Sequence, residues 1–310
     1  MDAIKEGLTK LGFPASDAYD LPSSPYRFPD GAHFRIEIPG IENLESLEAM
    51  VNESEKRKVT VHRLVVTVGG ATLKTFSELR DMAQIAADKK YECIINPMLA
   101  RRWDTGKYFA TPAGAADGSR IRGMDNIYYL IKDIERCIEA GFRGFLIYDE
   151  GLLWLLSKLR ENGTLPKDII FKVSSVMGHG SPVSGKLLEE LGADTFNPLP
   201  DLTFPMLAAM RKTCKLPLDI YVSTVATMGG MFRFMEAAEI ARLAAPCYFK
   251  FEPGRDFQDI YRTYVEPSKN EWLCREKVRQ AEALLEWVDR MGPDMICSKP
   301  GVADLVVPKF

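Results

Sequence analysis

Short apolar runs recur along the chain at regular intervals, each followed by turn residues and then by a segment whose apolar positions fall three and four apart. The runs predict strands over 34–38, 64–68, 93–96, 145–149, 169–174, 195–198, 218–223 and 247–252. Helices are predicted to begin near Asn43, Thr75, Gly123, Glu150, Pro182, Leu202, Phe232 and Asn270. Local signals agree with several of these limits. Thr75 and Glu78 have capping-box spacing, Ser181-Pro182 puts proline in a first helical turn, and Gly141, Gly163 and Gly192 stand where helices should stop.

A strand–helix alternation demands parallel strands joined by crossovers, because a parallel neighbour cannot be reached by a tight hairpin. Eight such units in roughly 250 residues is the size of a closed barrel. The expected fold class is therefore α/β, a (β/α)8 TIM barrel. An open doubly wound sheet is the competing arrangement, but no G-x-G-x-x-G turn follows the first strand. Residues 1–32 read as an irregular N-terminal arm, 33–292 as the barrel and 293–310 as a C-terminal tail, with no Pro/Gly/Ser-rich linker to divide them.

Alternation fixes which side chains face the barrel axis. Helices cover the outside, so outward positions must be apolar. Phe34, Ile36 and Ile38 then point out and Arg35 and Glu37 point in; Phe171 and Val173 point out and Lys172 and Ser174 in. In the same way Asp219, Tyr221 and Ser223 face in from the seventh strand, and Tyr248, Lys250 and Glu252 from the eighth. Thr67, Asn96 and Asn197 add one inward polar group each, and the fourth strand ends at Asp149-Glu150. Lys172 and Lys250 lie inside apolar runs, where an unpaired ammonium would cost many kcal/mol. They must meet carboxylates or line a polar cavity. A purely structural layer of ion pairs is the competing reading, but such layers stabilise little relative to apolar replacements.

The loops at the strands' C-terminal ends carry Arg101-Arg102, Arg120-Ile121-Arg122, Gly178-His179-Gly180 and Gly229-Gly230 ahead of Arg233. Guanidinium forks there suit a carboxylate or phosphate. The expected ligand is a small anionic metabolite, with Arg35, Asn96, Arg102, Arg122, Ser174, His179, Asn197, Tyr221 and Arg233 as binding candidates. Lys172, Lys250, Glu37, Asp149, Glu150 and Glu252 are the catalytic candidates.

Three chemistries fit this inventory. Asp149 or Glu150 with Glu252 can serve water attack on an amide-like bond while Lys172 or Lys250 holds the oxyanion. A lysine beside a second cation can instead form a Schiff base, giving a carbon–carbon lyase or aldolase. Carboxylates with His179 can hold a divalent cation, and the donors would suit Mg²⁺ or Mn²⁺ better than zinc. His33 and His62 precede strands and belong to the far rim. No resident cofactor is expected. Hydrolysis of an amide or peptide-like bond is the first expectation, lysis the second, and a non-catalytic metabolite-binding barrel the third.

The run from Leu187 to Arg211, containing Asn197-Pro198-Leu199-Pro200, and the strand Leu216-Pro217-Leu218-Asp219-Ile220-Tyr221-Val222 resemble the collagenase-like peptidase family of unassigned catalytic type. Asp149-Glu150-Gly151-Leu152-Leu153-Trp154 and Tyr248-Phe249-Lys250-Phe251 are similar to stretches of its members. The resemblance covers roughly residues 145–252 and implies a barrel and a peptidase-like label. Many members carry a cysteine cluster after the seventh strand that holds iron and sulfur. Here Ser223 to Phe234 contains no cysteine, so no iron–sulfur cluster is expected, and the hydroxylation roles of cluster-bearing members are not carried over.

Bulk properties narrow the partners. The 310 residues are 46% hydrophobic and 27% charged, with a formal net charge of −3. Mixed charge of this kind lacks the basic face that nucleic acid requires. No apolar stretch is long enough to span a bilayer, and the first residues lack a secretion-signal pattern, so a cytoplasmic protein without membrane partners is expected. Six scattered cysteines form no C-x-x-C pair and read as core filler. Trp272 and Trp287 on the last helix suit either the core or a homo-oligomer contact.

Overall fold

The computed structural model describes residues 3–97, 120–256 and 267–310. Eight parallel strands, β1 (Phe34–Ile41), β2 (Arg63–Val66), β3 (Glu92–Ile95), β4 (Gly144–Ile147), β5 (Ile170–Val173), β6 (Thr195–Phe196), β7 (Leu218–Ser223) and β8 (Cys247–Phe251), pair in sequence order. β8 closes back onto β1, with Phe34 opposite Cys247 and Glu37 opposite Lys250. The chain is a (β/α)8 TIM barrel.

The helices are α1 (Ala3–Lys10), α2 (Leu44–Arg57), α3 (Phe76–Asp88), α4 (Gly123–Glu139), α5 (Glu150–Glu161), α6 (Pro182–Glu190), α7 (Phe204–Thr213), α8 (Ala237–Ala244) and α9 (Pro267–Met291). Their starts follow local chemistry. Asn43, Thr75 and Ser181 each accept from the backbone N–H three residues on, and the side chain at that third position answers in a capping box. Gly141, Gly163 and Gly192 take φ of 117°, 82° and 95° just past helices, where a side chain would be strained. Three expected starts move: α9 begins at Pro267, ahead of Asn270, and the other two begin later than expected. α7 begins at Phe204 after the turn at Pro200–Asp201, and α8 only at Ala237. The reason for the second is that Phe232 bridges back to Ser223 and the Arg233 N–H donates to Val222 O, so this segment completes β7's edge before the helix starts.

The outward phase holds on every strand where it was read. Phe34, Ile36, Ile38, Phe171, Val173, Leu218, Ile220, Val222, Phe249 and Phe251 all join the core between strands and helices. The interior is divided. Val65, Ile94 and Leu146 form a separate apolar cluster with Val68 and Ile170, so β2 to β5 supply an apolar wall. Inward polar groups come from nearly every strand, but they gather in one sector: those of β5 to β8 and β1 are joined there by Arg63 at the start of β2 and Glu92 at the start of β3. Gly144 shows how close the apolar wall lies to its neighbour. A Cβ there would meet Cys93 O at 2.5 Å and Ile94 Cδ1 at 2.7 Å.

The arm and tail pack on the end where strands begin. Arg35 donates from Nη2 to both oxygens of Asp304 (2.7 and 2.8 Å) and from Nε to Ser298 Oγ (2.9 Å), and stacks over Phe28 at 3.8 Å. His62 accepts at Nδ1 from the Ile36 N–H (3.1 Å), which leaves Nε2–H to donate to Ser298 O (2.9 Å). Burial pushes the His62 pKa down to about 4, so the ring stays neutral. Among the described residues no helix is long and apolar enough to cross a membrane.

Candidate active site

The polar sector is built in two tiers. The lower tier is a closed network. Lys172 Nζ reaches Glu37 Oε2 (3.0 Å) and Asp219 Oδ2, and Thr195 Oγ1 donates to the same Asp219 oxygen (2.7 Å). Arg63 Nη1 donates to Asp219 Oδ1 (2.7 Å) and to Glu37 Oε2 (3.2 Å), its Nε to Glu92 Oε1, and its guanidinium lies 3.5 Å from the Tyr248 ring centroid. Glu92 Oε2 accepts from the Val306 N–H of the tail (3.0 Å). Register explains the assembly: Lys172 is opposite Thr195, Arg63 opposite Glu92 and Glu37, and Asp219 opposite Tyr248, all on inward positions.

Burial drives the Lys172 pKa down. Asp219 and Glu37 oppose that shift, while Lys250 and Arg63 reinforce it. Burial acts on Asp219 in the opposite sense, but Lys172 and Arg63 outweigh it and keep the carboxyl below its ordinary value. The lower tier is a set of charges that satisfy one another.

The upper tier faces the strands' C-terminal ends and is not closed. Lys250 Nζ donates to Asn197 Oδ1 (3.2 Å), whose own Nδ2 is fixed by donating to Asp219 O (2.7 Å). The two nearest carboxylate oxygens stand farther off, Glu252 Oε2 at 3.8 Å and Glu37 Oε1 at 4.0 Å. The amine sits 4.5 Å from the Tyr221 ring centroid, and the Tyr221 hydroxyl pairs with Ser175 Oγ (3.3 Å). Burial and the Glu252 carboxylate push the Tyr221 pKa well up, so the phenol keeps its proton. Both lysines are buried, but the Lys250 side chain keeps 7% of its surface exposed where Lys172 keeps none. Both Glu252 oxygens, Glu37 Oε1 and Ser223 Oγ are buried and find no hydrogen-bond partner among the described residues.

The remaining expected site residues fall elsewhere. Glu150 lies toward the rim, paired with Arg120 (2.7 Å) and His179 Nε2 (2.8 Å); burial raises its pKa, but its own backbone N–H, Arg120 and His179 together hold it below the ordinary value. Asp149 caps α5, accepting from the Leu152 N–H (2.9 Å), and Ser174 accepts from the Val176 N–H (3.4 Å) in the turn after β5. Asn96 donates to Val68 O (2.7 Å) at the end of β3. Arg122 donates to Arg120 O (3.2 Å) ahead of α4. Arg233 holds Leu202 O (3.0 Å) and Glu236 (2.7 Å) in a groove lined by Phe204 and Phe232. Arg35 is corrected from the mouth to the floor, because its position at the start of β1 brings it to Asp304. Arg102 lies outside the described residues.

Arg63, Glu92, Thr195 and Ser175 were missed as site candidates. Strands β2 and β3 each begin one residue earlier than predicted, at Arg63 and Glu92. Stepping back two positions from Val65 and from Ile94 lands on both, so the period already contained them. Among the described residues no three His, Cys, Asp or Glu side chains stand together with metal-ligand spacing.

No family model and no curated protein matches this chain. Similar solved structures include the YdjI aldolase from Escherichia coli K12, at 15% identity and a TM-score of 0.47 over 84% of this chain and 90% of that one. The U32 peptidase Mk0906 is similar at 15% identity and 0.45, over 73% and 96%. A dihydrodipicolinate synthase is similar at 10% and 0.46, over 84% and 80%.

Proposed function

We propose that this barrel is an enzyme that forms a Schiff base between Lys250 and a carbonyl substrate and cleaves or makes a carbon–carbon bond. The observation that carries the reading is the contrast between the two lysines. Lys172 is held by two carboxylates, whereas Lys250 has, among the described residues, no carboxylate within hydrogen-bond distance and one amide partner. Loss of its proton therefore strips no carboxylate of a bonded partner.

The chemistry follows from the neighbours. The neutral amine attacks the carbonyl carbon, a C–N bond forms, and the carbonyl oxygen takes a proton to give a carbinolamine. Glu252, a carboxylate at rest, takes the ammonium proton as the amine is freed and returns it to that hydroxyl; water leaves, and the iminium remains. A base then removes the proton of a hydroxyl two carbons away. The carbon–carbon bond breaks with its electrons drawn into the iminium, giving an enamine. Protonation of the enamine and hydrolysis of the iminium return the amine. Tyr221, kept neutral, is placed to donate to a developing alkoxide, and Ser175 orients it. The lower tier is a support that fixes Glu37 and, through Asp219 O, Asn197 around the amine.

Amide hydrolysis asks the same groups for a different division of labour, with Glu252 activating water and the Lys250 ammonium holding the oxyanion. The unpaired Glu252 oxygens favour it as far as they could orient a water. One experiment separates the two. Borohydride is added with a panel of small aldehydes and ketones, and adducts are mapped by mass spectrometry. A reduced adduct on Lys250, absent in Lys250→Met, is expected; no adduct on Lys250 with any carbonyl overturns the lyase reading.

A further inference from the structure

The upper tier has an imbalance that the lysis reading alone does not use. Four buried oxygens of the upper tier have no donor within hydrogen-bond distance among the described residues: both of Glu252, for which the Tyr221 hydroxyl is a longer-range partner, Oε1 of Glu37, and Oγ of Ser223 two positions along β7 from Tyr221. Buried polar atoms in folded proteins are nearly always paired, and an unpaired carboxylate oxygen carries a desolvation cost. The distances from Lys250 Nζ, 3.8 and 4.0 Å, are too long for a direct hydrogen bond, so the ammonium does not itself satisfy these oxygens. A hydroxyl or ammonium group beside the amine, where the substrate's reacting carbon would stand, can displace water from these oxygens and supply the donors.

Charge points the same way. In the two tiers the carboxylates of Glu37, Glu92, Asp219 and Glu252 face the cations of Arg63, Lys172 and Lys250, so acids are in excess. A carboxylate or phosphate next to the amine would meet Glu252 and Glu37 with like charge. A hydroxyl or ammonium group would supply the donors they lack.

We infer that Glu37, Glu252 and Ser223 form a donor subsite for the groups flanking the substrate carbonyl, so the substrate class is a hydroxylated or amino carbonyl compound and not a 2-oxo acid. The inference rests on the proposed Lys250 chemistry for the position of the carbonyl, but not for the subsite itself. It also moves any anionic group of the substrate away from the amine, toward the rim.

The test compares cyanoborohydride trapping on Lys250 by dihydroxyacetone, hydroxyacetone, acetone and pyruvate, each rate divided by that of Nα-acetyl-lysine under the same conditions. The expected order is dihydroxyacetone, hydroxyacetone, acetone, then pyruvate. Each hydroxyl should add about tenfold, the worth of one hydrogen bond to a charged group. In Glu252→Gln the ratio of dihydroxyacetone to pyruvate should fall by at least about tenfold whatever happens to the absolute rates, and Ser223→Ala should lower it less. Pyruvate trapped as fast as dihydroxyacetone in the unaltered protein overturns the inference and leaves the lyase reading standing. If no ketone is trapped, the lyase reading fails and thermal unfolding with 2-amino-1,3-propanediol decides the subsite. A rise in Tm that is absent in Glu252→Gln supports the subsite, and no rise overturns it.

Discussion

Lys172 Nζ lies 3.0 Å from Glu37 Oε2 with both side chains wholly buried, and the same ammonium contacts Asp219. A charge in that position is held by its partners, and the partners by it. Lys172→Met should therefore destabilise the fold by about 3–5 kcal/mol, because it leaves two carboxylates buried with one cation, Arg63, between them. Urea unfolding measures this. Adding Asp219→Asn should recover part of the loss, as a double-mutant cycle would show. A loss under about 1 kcal/mol would mean that the tier is solvated.

Lys250 should behave in the opposite way. Its closest partner is the neutral amide oxygen of Asn197 at 3.2 Å, and its carboxylate neighbours are beyond bonding distance. Lys250→Met should cost about 1 kcal/mol of stability, in the range of one ordinary hydrogen bond, while abolishing adduct formation. Measuring unfolding and trapping on the same sample separates support from chemistry: Lys172 governs the first, Lys250 the second.

Glu42 follows β1 and accepts from the N–H groups of Val68 (2.7 Å) and Gly69 (3.1 Å) in the β2–α3 loop. Burial raises its pKa from 4.5 to about 7 despite those two bonds and the nearby Lys277 and Lys74. The folded protein then holds a proton that the unfolded chain releases, so this group favours folding most at low pH. The contribution starts to fall above about pH 4.5 and has lost about 3 kcal/mol once pH passes 7. Glu42→Gln should remove that slope. The variant should gain on the unaltered protein as pH rises from 5 to 8, read from denaturant midpoints at each pH; parallel curves would place the ionised carboxylate in water.

The barrel was legible in the sequence because its outer face obeys one rule: Phe34, Ile36 and Ile38, or Phe249 and Phe251, alternate with polar residues that no helix-facing position accepts. The inward lysines were legible for the same reason. Partnership was not, since Lys172 meets Asp219 across 47 residues and Arg63 meets it across 156. Nothing local distinguishes the lysine that closes a network from the lysine left with an amide partner; the difference lies in strand stagger. Asp149 and Ser174 illustrate a second limit. Both stand at strand ends where catalytic groups belong, yet Ser174 spends its hydroxyl on the turn that follows, and Asp149 divides its oxygens between the first turn of α5 and the Ile121 N–H ahead of α4. Arg35 illustrates a third: an inward residue near a strand's start serves the floor, and its partner Asp304 comes from a tail with no periodic signal.

That floor yields a last expectation. Arg35 is almost wholly buried, and Asp304, 31% exposed, gives it a bidentate partner alongside Ser298 and Tyr248. Asp304→Ala should cost about 2 kcal/mol, less than the Lys172 change because water reaches the Asp304 side of the pair. Arg35→Met should cost more, since it also removes the stacking over Phe28. Neither should alter the trapping rate per folded molecule on Lys250, because the closed tier of Arg63, Glu37, Lys172 and Asp219 lies between the floor and the amine. Trapping measured well below each variant's melting temperature checks this. A tenfold slower adduct with unchanged stability would move Arg35 back among the substrate-binding groups.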